Sequence, residues 1–152
     1  MKNFLSALFA FTLFISCSNN KETTTDFTAQ NEQEIKDYIA KNSLTAIKSE
    51  SGLHSVILNP GTGTNPTTTS NVTVAYKGYF TNGTVFDQSP AAGIAFDLNR
   101  VIPGWTEGIQ YFKPGGNGIL LVPAHLGYGS YKYQSIPGGS VLVFDVKLIS
   151  VN

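Results

Sequence analysis

Hydrophobic and polar positions alternate in the middle of the chain as they do in a β-hairpin. Val72, Val74 and Tyr76 occupy every second position, which is the period of a half-buried strand. An Asn-Gly pair follows at residues 82–83 and tolerates the positive φ of a tight turn. Residues 84–87 then run back as the partner strand. The pattern therefore predicts a hairpin that reverses at the Asn-Gly pair.

Similar patterns predict the remaining elements. Strands are predicted at residues 53–58, 94–98, 118–122 and 140–151. Pro103 suits the first position of a helix, and Trp105, Ile109 and Phe112 would share one face of about two helical turns. About five antiparallel strands and one short helix cannot form βαβ repeats. We therefore expect an α+β fold in which a twisted antiparallel β-sheet wraps around one short α-helix.

The beginning of the chain has the composition of a targeting signal. Residues 4–15 form an apolar run that is too short to span a bilayer but has the length of a signal-peptide core. Cys17, the single cysteine, follows closely. It is either a chance residue near an ordinary secretory cleavage site or the lipid-carrying cysteine of a bacterial lipoprotein. We expect the second, with residues 1–16 as lipoprotein signal peptide and the protein lipid-anchored to the outer membrane, extracytoplasmic in the cell envelope.

Three segments follow the predicted signal. Residues 17–28 are polar and turn-rich, the composition of a tether that cannot pack a core. Residues 29–46 carry Ile35 and further apolar residues three and four positions on, which predicts a short amphipathic helix. That helix either packs on its own domain, is weakly ordered, or serves dimerisation. Residues 47–152 are expected to form the folded functional domain.

Composition and charge argue against several classes of function. The 152 residues include ten Lys and Arg against ten Asp and Glu, and no basic cluster of the kind that binds nucleic acid. The two histidines, His54 and His125, are distant in sequence and have no cysteine partner, so we expect no metal and no cofactor. A single cysteine also precludes an intramolecular disulfide.

The candidate chemistry lies in an apolar set of side chains around one carboxylate. Asp87 stands beside Phe86, and the surrounding motifs contribute Tyr76, Phe96 and Trp105. These residues include rings and one acid but no obvious nucleophile or metal ligand. Such a set suits a reaction that needs desolvation and shape.

Four motifs in this region resemble those of the FKBP-type peptidyl-prolyl cis-trans isomerases. They are YKGYFTNGTVFDQS at residues 76–89, VIPGW at 101–105, LGYG at 126–129 and LVFDVKLISV at 142–151. They occur in the family's order, and the resemblance extends over roughly residues 44–152. It implies the FKBP-like fold with a groove between helix and sheet, proline-containing polypeptides as substrates, and macrolides as possible inhibitors.

The resemblance also implies roles for ten residues. The catalytic positions would be Tyr76, Phe86, Asp87, Trp105, Tyr128 and Phe144, and the substrate-binding positions would be Phe96, Val101, Ile102 and Ile136. The indole of Trp105 would lie under a pyrrolidine ring, while the N–H of Ile102 would hold a substrate carbonyl. Tyr76 would pair with Asp87. The alternative interpretations are ordinary core packing for the tryptophan and phenylalanines, and solvated surface positions for Asp87 and Tyr128.

The function implied is prolyl isomerisation by desolvation in an apolar pocket. Rotation about an Xaa-Pro bond changes no covalent bond, and the twisted amide is less polar than the planar one, so a dry pocket favours the twisted form. The alternative is a non-catalytic proline-peptide-binding chaperone module. A small β-rich adhesion or carbohydrate-binding module is a third interpretation, which leaves the VIPGW helix unexplained.

Overall fold

The computed structural model describes residues 25–152, which form one sheet and two α-helices. In chain order the elements are α1 Thr28–Lys41, β1 Ile47–Lys48, β2 His54–Asn59, β3 Asn71–Phe80, β4 Val85–Gln88, β5 Ile94–Asp97, α2 Pro103–Gly108, β6 Asn117–Val122 and β7 Leu142–Val151. No helix in this range is long and apolar enough to cross a bilayer. The predicted signal peptide, Cys17 and most of the predicted tether lie outside the described residues.

The strands form an antiparallel sheet in the order β1-β2-β6-β7-β3-β4. β3 and β7 are the long central pair. Both β4 and β5 pair with the other edge of β3, at different positions along it. The predicted α+β fold, an antiparallel sheet around one short helix, is confirmed. The described residues contain seven strands, and the one for which no range is predicted is β1, whose two residues are too few to show a period.

Helix α2 packs tightly on one face of the sheet. It begins at Pro103, as predicted, and continues through a 3₁₀ turn at Ile109–Tyr111. A Cβ on Gly104 would lie 2.5 Å from Val122, and one on Gly108 would lie 2.7 Å from Leu120. The helix can approach β6 this closely because both positions lack a side chain. The residues predicted to share its inner face, Trp105, Ile109 and Phe112, are all buried.

Helix α1 covers the opposite face of the sheet. Ile35 is fully buried and forms a second core with Leu121, Val141 and Val143. Successive residues of β6 therefore point to different helices, since Leu120 packs in the core beneath α2 and Leu121 packs in the core beneath α1. The helix predicted within residues 29–46 is thus packed on its own domain.

Candidate active site

A cavity of about 310 Å³ opens between α2, the strands and the loop after β6. Its walls are formed by Tyr76, Phe86, Asp87, Phe96, Arg100, Val101, Ile102, Trp105, Tyr128, Tyr133 and Phe144. This volume is at the lower end of the range of about 300–1,000 Å³ that small-molecule sites occupy. The cavity is therefore suited to a small ring or one or two residues of a peptide.

The cavity is built around the indole of Trp105. This side chain is only 4% exposed, and it meets three other rings edge-to-face. The ring centroids lie 5.0 Å from Tyr76, 5.4 Å from Phe96 and 5.4 Å from Phe144. Edge-to-face pairs contribute about 0.5–1.5 kcal/mol beyond burial, so they hold the rings in fixed orientations. The buried Nε1 has no hydrogen-bond acceptor among the described residues.

One hydrogen-bonded polar pair stands at the rim. The phenol of Tyr76 donates to Oδ2 of Asp87 at 2.6 Å, as predicted for this pair. The hairpin brings them together, since Gly78 on β3 lies opposite Asp87 on β4. Burial, and then the Asp87 carboxylate, raise the pKa of Tyr76 above its ordinary value. The phenol therefore stays protonated at neutral pH and remains a hydrogen-bond donor.

Two further polar groups face the opening. Ile102 precedes α2, and its carbonyl accepts bonds from the N–H groups of Trp105 and Thr106 at 2.9 Å and 3.1 Å. Its own N–H has no partner among the described residues, so it is available to a substrate carbonyl. Tyr128 is 37% exposed, and its ring stacks on Tyr133 with centroids 4.5 Å apart. Burial, and next the neighbouring Tyr133, raise the pKa of Tyr128.

The structure brings all but one of the ten predicted site residues to the cavity wall. The exception is Ile136, which is 7% exposed and packs in the main core instead of lining the cavity. Its backbone holds Tyr133 through two hydrogen bonds of 2.9 Å and 2.8 Å. The sequence interpretation missed Arg100 and Tyr133. The signals were the position of the single arginine next to the VIPGW motif and the cluster of tyrosines in the loop.

A wider groove of about 880 Å³ lies elsewhere on the sheet. It is lined by Lys77, Asp145 and Lys147 among others, and no cluster of rings converges there. Within residues 25–152 no group of three or more His, Cys, Asp and Glu side chains could hold a metal ion. The smaller cavity is the candidate site because rings and free hydrogen-bond donors converge on it.

Comparison with known proteins gives a match to one family model and to named relatives. A family model described as FKBP-type peptidyl-prolyl cis-trans isomerase matches residues 62–149, a range that contains every residue of the cavity wall. FkpA from Aeromonas hydrophila, an FKBP-type peptidyl-prolyl cis-trans isomerase by name, is 42% identical over 126 residues. That match covers 80% of this chain and 47% of the relative. FkpA from Escherichia coli (strain K12) is 40% identical over 127 residues, which cover 81% and 47%.

Solved structures give the same result. The crystal structure of FkpA from Escherichia coli matches with a TM-score of 0.73 and 38% identity, over 82% of this chain and 61% of the other. A peptidyl-prolyl cis-trans isomerase from Pseudomonas syringae pv. tomato matches with a TM-score of 0.70 and 30% identity, over 82% and 96%. The chain spans about half the length of the curated relatives it matches. The resemblance carried by the four motifs is confirmed.

Proposed function

This chain belongs to the FKBP-type peptidyl-prolyl cis-trans isomerase family, and we propose that it accelerates rotation about Xaa-Pro bonds of polypeptides held in the cavity around Trp105. The observation that carries the proposal is the composition of the wall. Its buried part is made of rings and branched aliphatic side chains, while its two charged side chains, Asp87 and Arg100, are exposed. A planar, polarised amide loses hydration there without gaining an equivalent partner.

The catalytic effect proposed is differential binding. The unaided barrier is roughly 18–20 kcal/mol and comes from amide resonance. Twisting the bond removes that resonance and makes the carbonyl less polar, so a dry apolar wall destabilises the planar form relative to the twisted one. An acceleration on the order of 10⁵ would require a barrier lower by about 7 kcal/mol. Exclusion of water by Trp105, Phe96 and Phe144 supplies the dry surface.

The polar groups at the rim orient the substrate. We expect the free N–H of Ile102 to donate to a substrate carbonyl and Tyr128 to bond the substrate backbone, because both residues line the cavity. Asp87 holds the phenol of Tyr76 and transfers no proton. The proposed rotation changes no covalent bond, so it requires no nucleophile. Macrolides of the class that inhibits this family are expected to compete for the cavity.

The proposal includes a location. An apolar run followed by the single cysteine, Cys17, supports lipid attachment and an extracytoplasmic domain on the outer membrane. Envelope polypeptides that contain proline would then be the substrates. Radiolabelled palmitate should enter the unsubstituted protein and not C17S. Equal labelling of both proteins, or of neither, would overturn the proposed anchor.

The activity is tested by exchange between the cis and trans proline signals of short Xaa-Pro peptides, measured by NMR with the full chain in mild detergent. W105L should lower kcat/KM at least tenfold, since removing the indole opens the floor to water. F112L is the matched control, because Phe112 is also buried beside α2 but does not line the cavity. It should leave kcat/KM unchanged once folding is verified by circular dichroism.

Two results would overturn the proposal. One is exchange at the spontaneous rate with every peptide. If the peptides nevertheless quench Trp105 fluorescence, the protein is the non-catalytic proline-peptide-binding module. The other is an equal loss of activity in W105L and F112L, because that would assign the effect to the stability of the fold.

A further inference from the structure

Asn31 is a fully buried polar residue on α1 that contacts the loop between β6 and β7. Its Nδ2 donates to the carbonyl of Gly139 at 2.8 Å, and its Oδ1 accepts from the N–H of Ala124 at 2.8 Å. These two partners begin and end residues 124–139, which we call the tyrosine loop because it carries Tyr128 and Tyr133. One side chain therefore holds both ends of the loop that forms a wall of the cavity.

Residues just before Asn31 add to this contact. Phe27 lies directly against Gly139, where a Cβ would overlap its ring, and the φ of Gly139 is +77°. Both facts favour glycine at that position, since a side chain there would be strained in the left-handed region and would clash with the ring. Ser130, near the middle of the loop, donates to the carbonyl of Thr25 at 2.9 Å. The start of the described chain thus contacts the loop at several points.

The loop is internally connected, so its ends determine where its tyrosines lie. The N–H of Gly129 bonds to the carbonyl of Ala124 at 2.8 Å, and the N–H of Gly139 bonds to the carbonyl of Gly129 at 2.9 Å. Gly129 directly follows Tyr128, whose ring stacks on Tyr133. A displacement at either residue held by Asn31 is therefore transmitted to the cavity wall.

Anchoring the helix alone does not explain an asparagine at this position. Ile35, one turn further along the same face, anchors α1 by apolar packing against Leu121 and Val143. A buried amide is tolerated only if both its donor and its acceptor are bonded, and both bonds here go to the tyrosine loop. The distinctive contribution of Asn31 is the position of that loop.

We propose that Asn31 is a positioning residue of the active site, which fixes the tyrosine loop so that Tyr128 and Tyr133 close one side of the cavity. Helix α1, which lies outside the span of the family model, is then part of the machinery of the site. The effect on turnover rests on the proposed function. The structural contact does not, and it can be measured separately.

The test compares N31A with I35A in the full chain, at a temperature where melting curves show both variants folded. Both residues are fully buried on α1, but the core contacts of Ile35 lie outside the tyrosine loop. N31A should lower kcat/KM about tenfold, because an error of about 1 Å in the placement of a group can cost up to ~10²-fold. I35A should stay within about twofold of the unsubstituted chain, since it leaves in place both hydrogen bonds from Asn31 to the loop.

A double-mutant cycle identifies the route of the effect. In a chain that already carries Y128A, adding N31A should lower kcat/KM by about twofold or less, because both substitutions disturb the same wall of the cavity. Full additivity of the two losses would overturn the proposal. The proposal would also be overturned if I35A lowered kcat/KM as much as N31A does at matched stability.

Hydrogen exchange provides a readout that needs no activity. N31A should speed amide exchange in residues 124–139 at least tenfold relative to the β3–β7 pair, and I35A should not. If the unsubstituted chain has no isomerase activity, the proposed function fails while this measurement still decides whether Asn31 holds the loop. Unchanged amide exchange in the tyrosine loop of N31A would overturn the proposal that Asn31 holds this loop.

Discussion

A methyl group added at Gly78 should disturb the cavity without straining the backbone. Gly78 lies near the end of β3, against two rings of the wall, and its φ is not positive. A Cβ there would lie 2.8 Å from two ring atoms of Phe86 and 2.9 Å from one of Phe144. Carbon atoms ordinarily pack at about 3.5–4.0 Å, so each ring would have to retreat by roughly 0.7 Å. The perturbation is therefore steric and local.

The size of the effect follows from which ring can move. Phe86 is half-buried and can tilt outward, whereas Phe144 is 4% exposed and stands edge-to-face with Trp105 at 5.4 Å. Overpacking of this kind costs about 1–3 kcal/mol of unfolding free energy. Displacing the wall by most of an ångström should lower kcat/KM on the order of tenfold. G78A is thus expected to reduce both stability and activity.

G115A is the matched control, because it should destabilise the protein without touching the cavity. Gly115 has a φ of +82°, and no atom lies within 4 Å of the place that an alanine methyl group would take. Alanine there is strained only in its backbone, by about 1–2 kcal/mol. Urea unfolding measures stability, and the proline-exchange assay measures kcat/KM. Equal activity losses in G78A and G115A at equal stability would refute the reasoning.

Two further predictions concern ionisable groups. D87L should lower kcat/KM by no more than about tenfold, since it removes one hydrogen bond of about 1 kcal/mol to Tyr76. Complete inactivation in the proline-exchange assay would show that Asp87 does more than orient that phenol. Burial lowers the pKa of His54, so the unfolded chain binds its proton more readily than the folded one. The unfolding free energy should therefore fall as the pH drops below about 6.5, by at most about 1.4 kcal/mol per pH unit from this group, and urea titrations of H54L should lack that component.

The features predicted correctly from sequence depend on neighbours along the chain. The alternation of Val72, Val74 and Tyr76 reflects the strand period, and all three point to the main core or the cavity. Pro103 marks the beginning of α2, because its ring suits the first helical position. The Tyr76–Asp87 hydrogen bond spans only one hairpin, and the Asn-Gly pair predicts the turn of that hairpin. Local rules are sufficient for each of these.

The features that sequence patterns miss depend on how distant segments meet. Asn31 bonds to Ala124 and Gly139, which are 93 and 108 positions further along the chain, and nothing in the pattern of α1 predicts those partners. Ile136 is predicted in the cavity wall, but the turn formed with Tyr133 directs it into the core and leaves the tyrosine at the opening. The path of a loop of this length is decided by its anchors, and those anchors lie on elements far away in sequence.

The register of β3 is what makes a dry cavity possible in this chain. Along β3, Val74, Tyr76 and the bare backbone of Gly78 face the rings, while Lys77 and Tyr79 belong to the other face. A slip of one residue would exchange the two sets and turn a lysine toward the indole of Trp105. Under the proposed mechanism, a buried ammonium group would restore the polar surroundings that the planar amide prefers. The pairing of Tyr76 with Val146 and of Gly78 with Phe144 on β7 therefore determines which side chains of β3 reach the cavity.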